Sequence, residues 1–135
     1  MKALDSKVND FFKSIDFLAP WLIRSGLGIA FIIHGSSKFP LPPEGLMNYF
    51  GFSAILASFV AIAELFAGTF ILFSGFFNNS IGNLITRFAA LVIVVIMIFA
   101  LAIAHQDWFI TTKLFTSEQI FLLFIGLYFF IKGNS

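Results

Sequence analysis

Trp21-Leu-Ile-Arg-Ser-Gly-Leu-Gly-Ile-Ala-Phe-Ile-Ile-His-Gly-Ser-Ser-Lys-Phe39 is apolar enough to cross a bilayer as a helix, yet it carries Arg24, His34 and Lys38. A charged side chain held in hydrocarbon costs about 3 kcal/mol or more, and it persists where it faces a partner or a water-filled cavity. This segment therefore demands neighbouring helices that answer its charges. The rest of the chain reads as their source.

Composition agrees with a membrane setting. Of the 135 residues, 59% are hydrophobic and 11% charged. A soluble domain carries roughly a quarter charged residues. The mean hydropathy is +0.98. Four apolar runs each approach the ~20 helical residues that a hydrocarbon core of about 30 Å requires. The fold expected is all-α, a four-transmembrane-helix bundle preceded by a short amphipathic interfacial helix. The net charge of +1 gives no reason to expect a nucleic-acid partner. With no cysteine in the chain, disulfides, thiolate redox chemistry and cysteine-ligated metals drop out. No metal site and no intrinsic cofactor is expected. Any redox role needs a bound cofactor or a diffusible carrier such as a quinone.

Working outward, residues 1–17 are polar with Leu4, Val8, Phe11, Phe12 and Ile15 on one helical face. This is the pattern of a helix lying on the membrane surface. Residues 18–133 form the membrane domain. Span one runs over 18–39, with Pro20 in its first turn, where a missing N–H is harmless. Arg24, Gly28, Phe31, Gly35 and Lys38 recur at helical spacing, so its charges share a face with its glycines. Pro40-Leu-Pro-Pro43 stops the helix, and Gly45 to Phe50 reads as an amphipathic interfacial stretch. Span two, 52–77, places Ala57, Ala61, Glu64, Gly68 and Gly75 along one face. Small residues at such spacing let membrane helices approach closely, so Gly28, Gly35, Gly68 and Gly75 are helix-packing candidates. A lone intramembrane glutamate is either a functional group or half of a structural ion pair. Span three, 84–104, has Arg87 in its first turn as an interfacial anchor. Residues 105–118 read as a polar loop, and span four, 116–131, is the shortest.

Four crossings put Lys2, Lys7, Lys13, Arg87 and Lys132 on one side and Lys38 and Lys113 on the other. The positive-inside rule then sets both termini in the cytoplasm. Depth suggests a pairing. Arg24 lies ~9 Å into span one at 1.5 Å per residue, and Glu64 lies ~12 Å from that same side of a core of about 30 Å. The sequence thus predicts an Arg24–Glu64 ion pair. His34, Lys38, Glu44, His105 and Asp107 gather at the opposite mouth. They read as a proton-handling or ligand-anchoring rim, a weaker metal or haem site through His34 and His105, or simply a solvated edge.

The run Arg24-Ser-Gly-Leu-Gly28, then His34-Gly-Ser-Ser-Lys38, then Glu64-Leu-Phe-Ala-Gly68 with Gly75, then Thr86-Arg-Phe-Ala-Ala90, resembles the DoxX/DoxD-like family of small four-helix membrane proteins. The resemblance covers about 18–133. The chain departs from the family outline in the added residues 76–85 and in ending on Lys132-Gly-Asn-Ser135. The resemblance implies a multi-pass protein of the bacterial inner membrane. It also implies a link to oxidoreductase complexes that hand electrons to quinone, and ligand-binding roles for Arg24, His34, Lys38 and Glu64. Three readings follow. The first is a component of a quinone-linked redox system, with a polar site between the first two helices and Glu64 or His34 as catalytic candidates for proton transfer. The second is a non-catalytic scaffold or assembly subunit, docking a membrane redox partner or a second copy of itself in a homo-oligomer. The third is a small-solute carrier, disfavoured by the lack of an inverted repeat.

Overall fold

The computed structural model describes residues 1–134 and is all-α, with no strand among them. The helices are α1 (Lys2–Ser14), α2 (Leu18–Ser36), α3 (Glu44–Phe50), α4 (Ala54–Ser74), α5 (Ser80–Phe99), α6 (Lys113–Thr116) and α7 (Glu118–Lys132). α5 runs on into a π-helical turn, Ala100–Ala104, and then a 3-10 turn, Gln106–Ile110. The stretch expected as a polar loop is therefore largely helical. Its apolar residues Phe109, Ile110 and Phe115 remain exposed.

Local chemistry sets the ends. The Ser53 hydroxyl accepts from the Leu56 N–H at 3.2 Å and starts α4. The Asn79 side-chain Oδ1 accepts from the Gly82 N–H at 2.8 Å and starts α5 four residues before the expected position. Three helices are long and apolar enough to cross a membrane: Leu18–Ser36, Ala54–Ser74 and Ser80–Ala104. α7, at 15 residues, reaches about 22 Å. α1 leaves Leu4, Val8, Phe11 and Phe12 exposed together.

The core is a seam where α2, α4, α5 and α7 meet, filled by Leu27, Phe31, Ile71, Ala89, Ala90, Ile93 and Phe129. Inside lipid the packing of small surfaces, more than water exclusion, holds helices together. α2 and α4 show this most clearly. A Cβ built on Gly68 would lie 2.7 Å from the Gly28 carbonyl oxygen and 2.8 Å from the Ile32 nitrogen, both backbone atoms. One on Gly35 would lie 2.6 Å from the Leu65 nitrogen. Gly68→Ala should force the two helices apart and destabilise the protein by about 1–3 kcal/mol. Gly45→Ala, at an open position, should be neutral in the same unfolding assay.

These contacts also fix the register. The helices run antiparallel with Gly28 against Gly68, Gly35 against Leu65 and Arg24 against Gly75. α2 therefore ends beside the midpoint of α4. The first half of α4 lacks α2 as a neighbour and is flanked by α3 instead. A gap opens there.

Candidate functional site

The gap is a cavity of about 460 Å³. Its floor is made by buried Phe31, Glu64, Met97 and Leu122, and its walls by the end of α2, α3, the first half of α4, the π-helical turn and the start of α7. Most of the lining is aliphatic or aromatic. The polar exceptions are His34, Lys38, Glu64, His105 and Gln119. π-turns inside α-helices concentrate at functional sites, because they displace the backbone from its regular path. Here the displaced stretch forms one wall.

Lys38 and Glu64 form a salt bridge at the cavity floor. Lys38 lies just past the end of α2, and its ammonium also donates to the His34 carbonyl oxygen at 3.0 Å, capping that helix. Glu64 is the eleventh of the 21 residues of α4, which places it at mid-helix. The side chains of Lys38 and Glu64 are 19% and 8% exposed, so the pair is sequestered. A second pair, His34 Nε2 with Glu118 Oε1 at 2.9 Å, joins α2 to α7. At 43% and 59% exposure it contributes little to stability. The His105 ring stacks on Trp108 at 3.6 Å between centroids. Among the described residues, no three histidine, cysteine, aspartate or glutamate side chains cluster to hold a metal ion.

The structure corrects the predicted Arg24–Glu64 pair. Arg24 faces Gly75, eleven residues along α4 from Glu64, or about 16 Å at 1.5 Å per residue. Matched depths would require both helices to cross the same slab from matched starts. In fact α2 is displaced toward one end of α4.

Arg24 is buried at 4% exposure and satisfied without a carboxylate among the described residues. Its Nη1 donates to the Ile71 carbonyl oxygen at 2.6 Å and to the Ser74 and Thr86 hydroxyls at 3.3 Å. Its Nη2 donates to Asn134 Oδ1 at 2.7 Å. The guanidinium carbon sits 4.5 Å from the Phe129 ring centroid. The carbonyl-rich ends of α4 and α7 converge on this cation, and helix C-termini carry partial negative charge. Asn134 closes the arrangement. Its Nδ2 donates to the Ser74 and Phe77 carbonyls at 2.8 and 3.1 Å, and its backbone N–H donates to Asn83 Oδ1 at 3.0 Å. Gly133 makes the turn possible with φ +70°, in a space so tight that a Cβ would collide with Asn83 Oδ1. Arg87, expected as an interfacial anchor only, donates to the Phe130 carbonyl at 3.0 Å and ties α5 to α7.

Of the four ligand candidates, His34, Lys38 and Glu64 thus share the cavity, and Arg24 belongs to a separate polar node at the other end of the bundle. Of the other rim candidates, His105 lines the cavity, while Glu44 and Asp107 do not. Glu118, Gln119, Ser74, Thr86 and Asn134 are site residues beyond the set that the sequence predicts. Ser74 and Thr86 carry a faint signal, two hydroxyls flanking one short turn. Asn134, in a short polar tail, carries none.

The DoxX family model matches residues 19–106, well over half of the chain. The match takes in Arg24, the cavity's Lys38 and Glu64, and the π-helical wall. No curated protein and no solved structure matches. An all-α chain with three long apolar helices and this match is a multi-pass integral membrane protein, and it belongs to the DoxX family.

Proposed function

We propose that the protein is a component of a quinone-linked redox system in the bacterial inner membrane, with the cavity above Lys38 and Glu64 as its ligand site. The observation that carries this reading is the pairing of a large apolar chamber with a single ion pair at its floor, halfway along a membrane-spanning helix. A ligand suited to it is mostly apolar and ends in a group that accepts a hydrogen bond. An ammonium has three donors. Lys38 directs one to Glu64 and one to the His34 carbonyl, which leaves one for a ligand oxygen. Glu64, beside the same ammonium, is placed to receive or return a proton, and His34 stands higher on the cavity wall as a second carrier. A bound quinone supplies the two-electron, two-proton chemistry that these side chains lack.

In the same reading α7 makes a fourth, short crossing alongside α5. α1 lies in the interface with Leu4, Val8, Phe11 and Phe12 toward lipid. Both termini face the cytoplasm, following the distribution of lysine and arginine.

The test is organic extraction of the purified protein followed by titration with a quinone. The expected result is a co-purified quinone at near-stoichiometric level, lost in Lys38→Met, with affinity reduced at least tenfold. Quinone-free protein that binds none on titration would overturn the assignment. A protein of that kind which crosslinks reproducibly to a partner in native membranes would be the scaffold instead.

A further inference from the structure

The lining of the cavity is graded. At the floor, Phe31, Glu64, Met97 and Leu122 are all below 9% exposed. At the rim, Leu56, Phe59, Phe99 and Ile103 are between 45% and 66% exposed. The rim residues are not scattered. Phe59 continues the outward stripe of α4 through Ile62, Phe66, Phe70 and Phe73, and Phe99 continues that of α5 through Phe88, Leu91, Val95 and Ile98. Both stripes run the length of membrane-spanning helices and face lipid. The chamber therefore opens sideways, between α4 and the π-helical turn. The end facing water is bounded by α3, which contributes Leu46 and Phe50 to the wall. The three sides away from the opening are closed by α2, α7 and the core.

From this we infer that the site is loaded laterally from the bilayer. Its occupant is an uncharged amphiphile whose polar head reaches Lys38 and Glu64, while its apolar chain leaves between Phe59 on α4 and Phe99 and Ile103 at the π-helical turn. The inference rests on the quinone reading above and adds the route and the chain requirement. A head alone gains the hydrogen bond at the floor. A chain adds burial against the aromatic rim without having to be folded into the chamber. The π-turn matters here because it carries Ala100, Ile103 and Ala104 to the edge of the opening. Leu56, Phe59, Phe99 and Ile103, the residues exposed at this opening, are all apolar, and the Lys38–Glu64 and His34–Glu118 pairs are made by other residues.

The experiment uses the full-length protein in lipid nanodiscs and two photoreactive benzoquinones, one with a diazirine at the end of a decyl chain and one with the diazirine on a chain-free ring. The chain-end probe is expected to label Phe59, Phe99 or Ile103, and the ring probe to label the surroundings of Lys38. Ile103→Trp, which narrows the opening at a lipid-facing position, should cut labelling by the chain-bearing probe at least fivefold and leave the chain-free probe within twofold. Phe59→Ala, which widens it, should speed labelling by the chain-bearing probe. Chain-end labels on 37–44 or 105–111 would show entry from the aqueous side and overturn the lateral route while leaving the quinone site intact. Equal loss of both probes in a folded Ile103→Trp would overturn the chain's seat between Phe59 and Ile103, since only a bound chain distinguishes the two probes there. Failure of both probes to label the wild type near Lys38 would remove the quinone reading and this inference together.

Discussion

Replacing Lys38 with methionine should lower the stability of the folded protein by about 3–5 kcal/mol, the range for breaking a buried ion pair by removing one partner. The reason lies in what remains. Glu64 is 6% exposed at the midpoint of α4, and Lys38 is the one cation within bonding distance of it among the described residues. Without the ammonium, the carboxylate faces an aliphatic chamber and must either stay charged without a partner or take up a proton. Lys38→Met combined with Glu64→Leu should recover most of the loss, because no charge is left to satisfy. Glu64→Gln alone should be mild, about 1 kcal/mol, since its amide oxygen still accepts from Lys38. Steric-trap unfolding in bicelles measures these variants and the Glu64→Leu single beside the wild type. Lys38→Met as stable as wild type would mean that Glu64 is not held by Lys38. A double variant worse than either single would mean that the pair's surroundings, and not its charges, carry the stability.

The stripes on the helices were readable from the sequence, and the register between them was not. Periodicity set Arg24, Gly28, Phe31 and Gly35 on one face of α2, and Glu64 with Gly68 on one face of α4. Those faces do meet. Which charge meets which depends on how far one helix slides along the other, and a slide of a few turns leaves the periodicity unchanged. The slide is set by steric detail: Gly28 and Gly68 pressing backbone to backbone, and Gly35 seating Leu65. The cavity follows from that offset and so was equally hidden. The π-turn was hidden for a simpler reason. Ala100 to Ala104 is as apolar as the helix before it, and nothing in its composition separates one backbone path from the other. Asn134 lies at the far limit of legibility. A polar residue in a polar tail looks like solvent-exposed chain, and only the fold shows that three helix ends meet where it sits.

Arg24→Met should cost about 3–5 kcal/mol, since hydrogen bonds to a charged group contribute about 1.5–3 kcal/mol each and several are lost together. The loss falls on the Ile71 carbonyl, the Ser74 and Thr86 hydroxyls and the Asn134 amide, which share this one donor fork. Arg24→Lys should recover less than half. A lysine keeps the charge near the ends of α4 and α7, but it is a point donor that cannot reach the Ile71 carbonyl and Asn134 Oδ1 at once. The decisive measurement is the cycle with Glu64→Gln. If the two nodes are separate, as an offset of about 16 Å along α4 requires, the double variant should equal the sum of the singles within about 0.5 kcal/mol. A direct Arg24–Glu64 pair would instead make Arg24→Met far less harmful once Glu64 is neutral, with a coupling above about 1 kcal/mol. The same cycle run with Asn134→Ala in place of Glu64→Gln should show that coupling, because Asn134 Oδ1 is the acceptor of Nη2. Strong coupling to residue 134 and none to residue 64 would establish that the cation of the first span closes one end of the bundle and leaves the cavity's chemistry to Lys38.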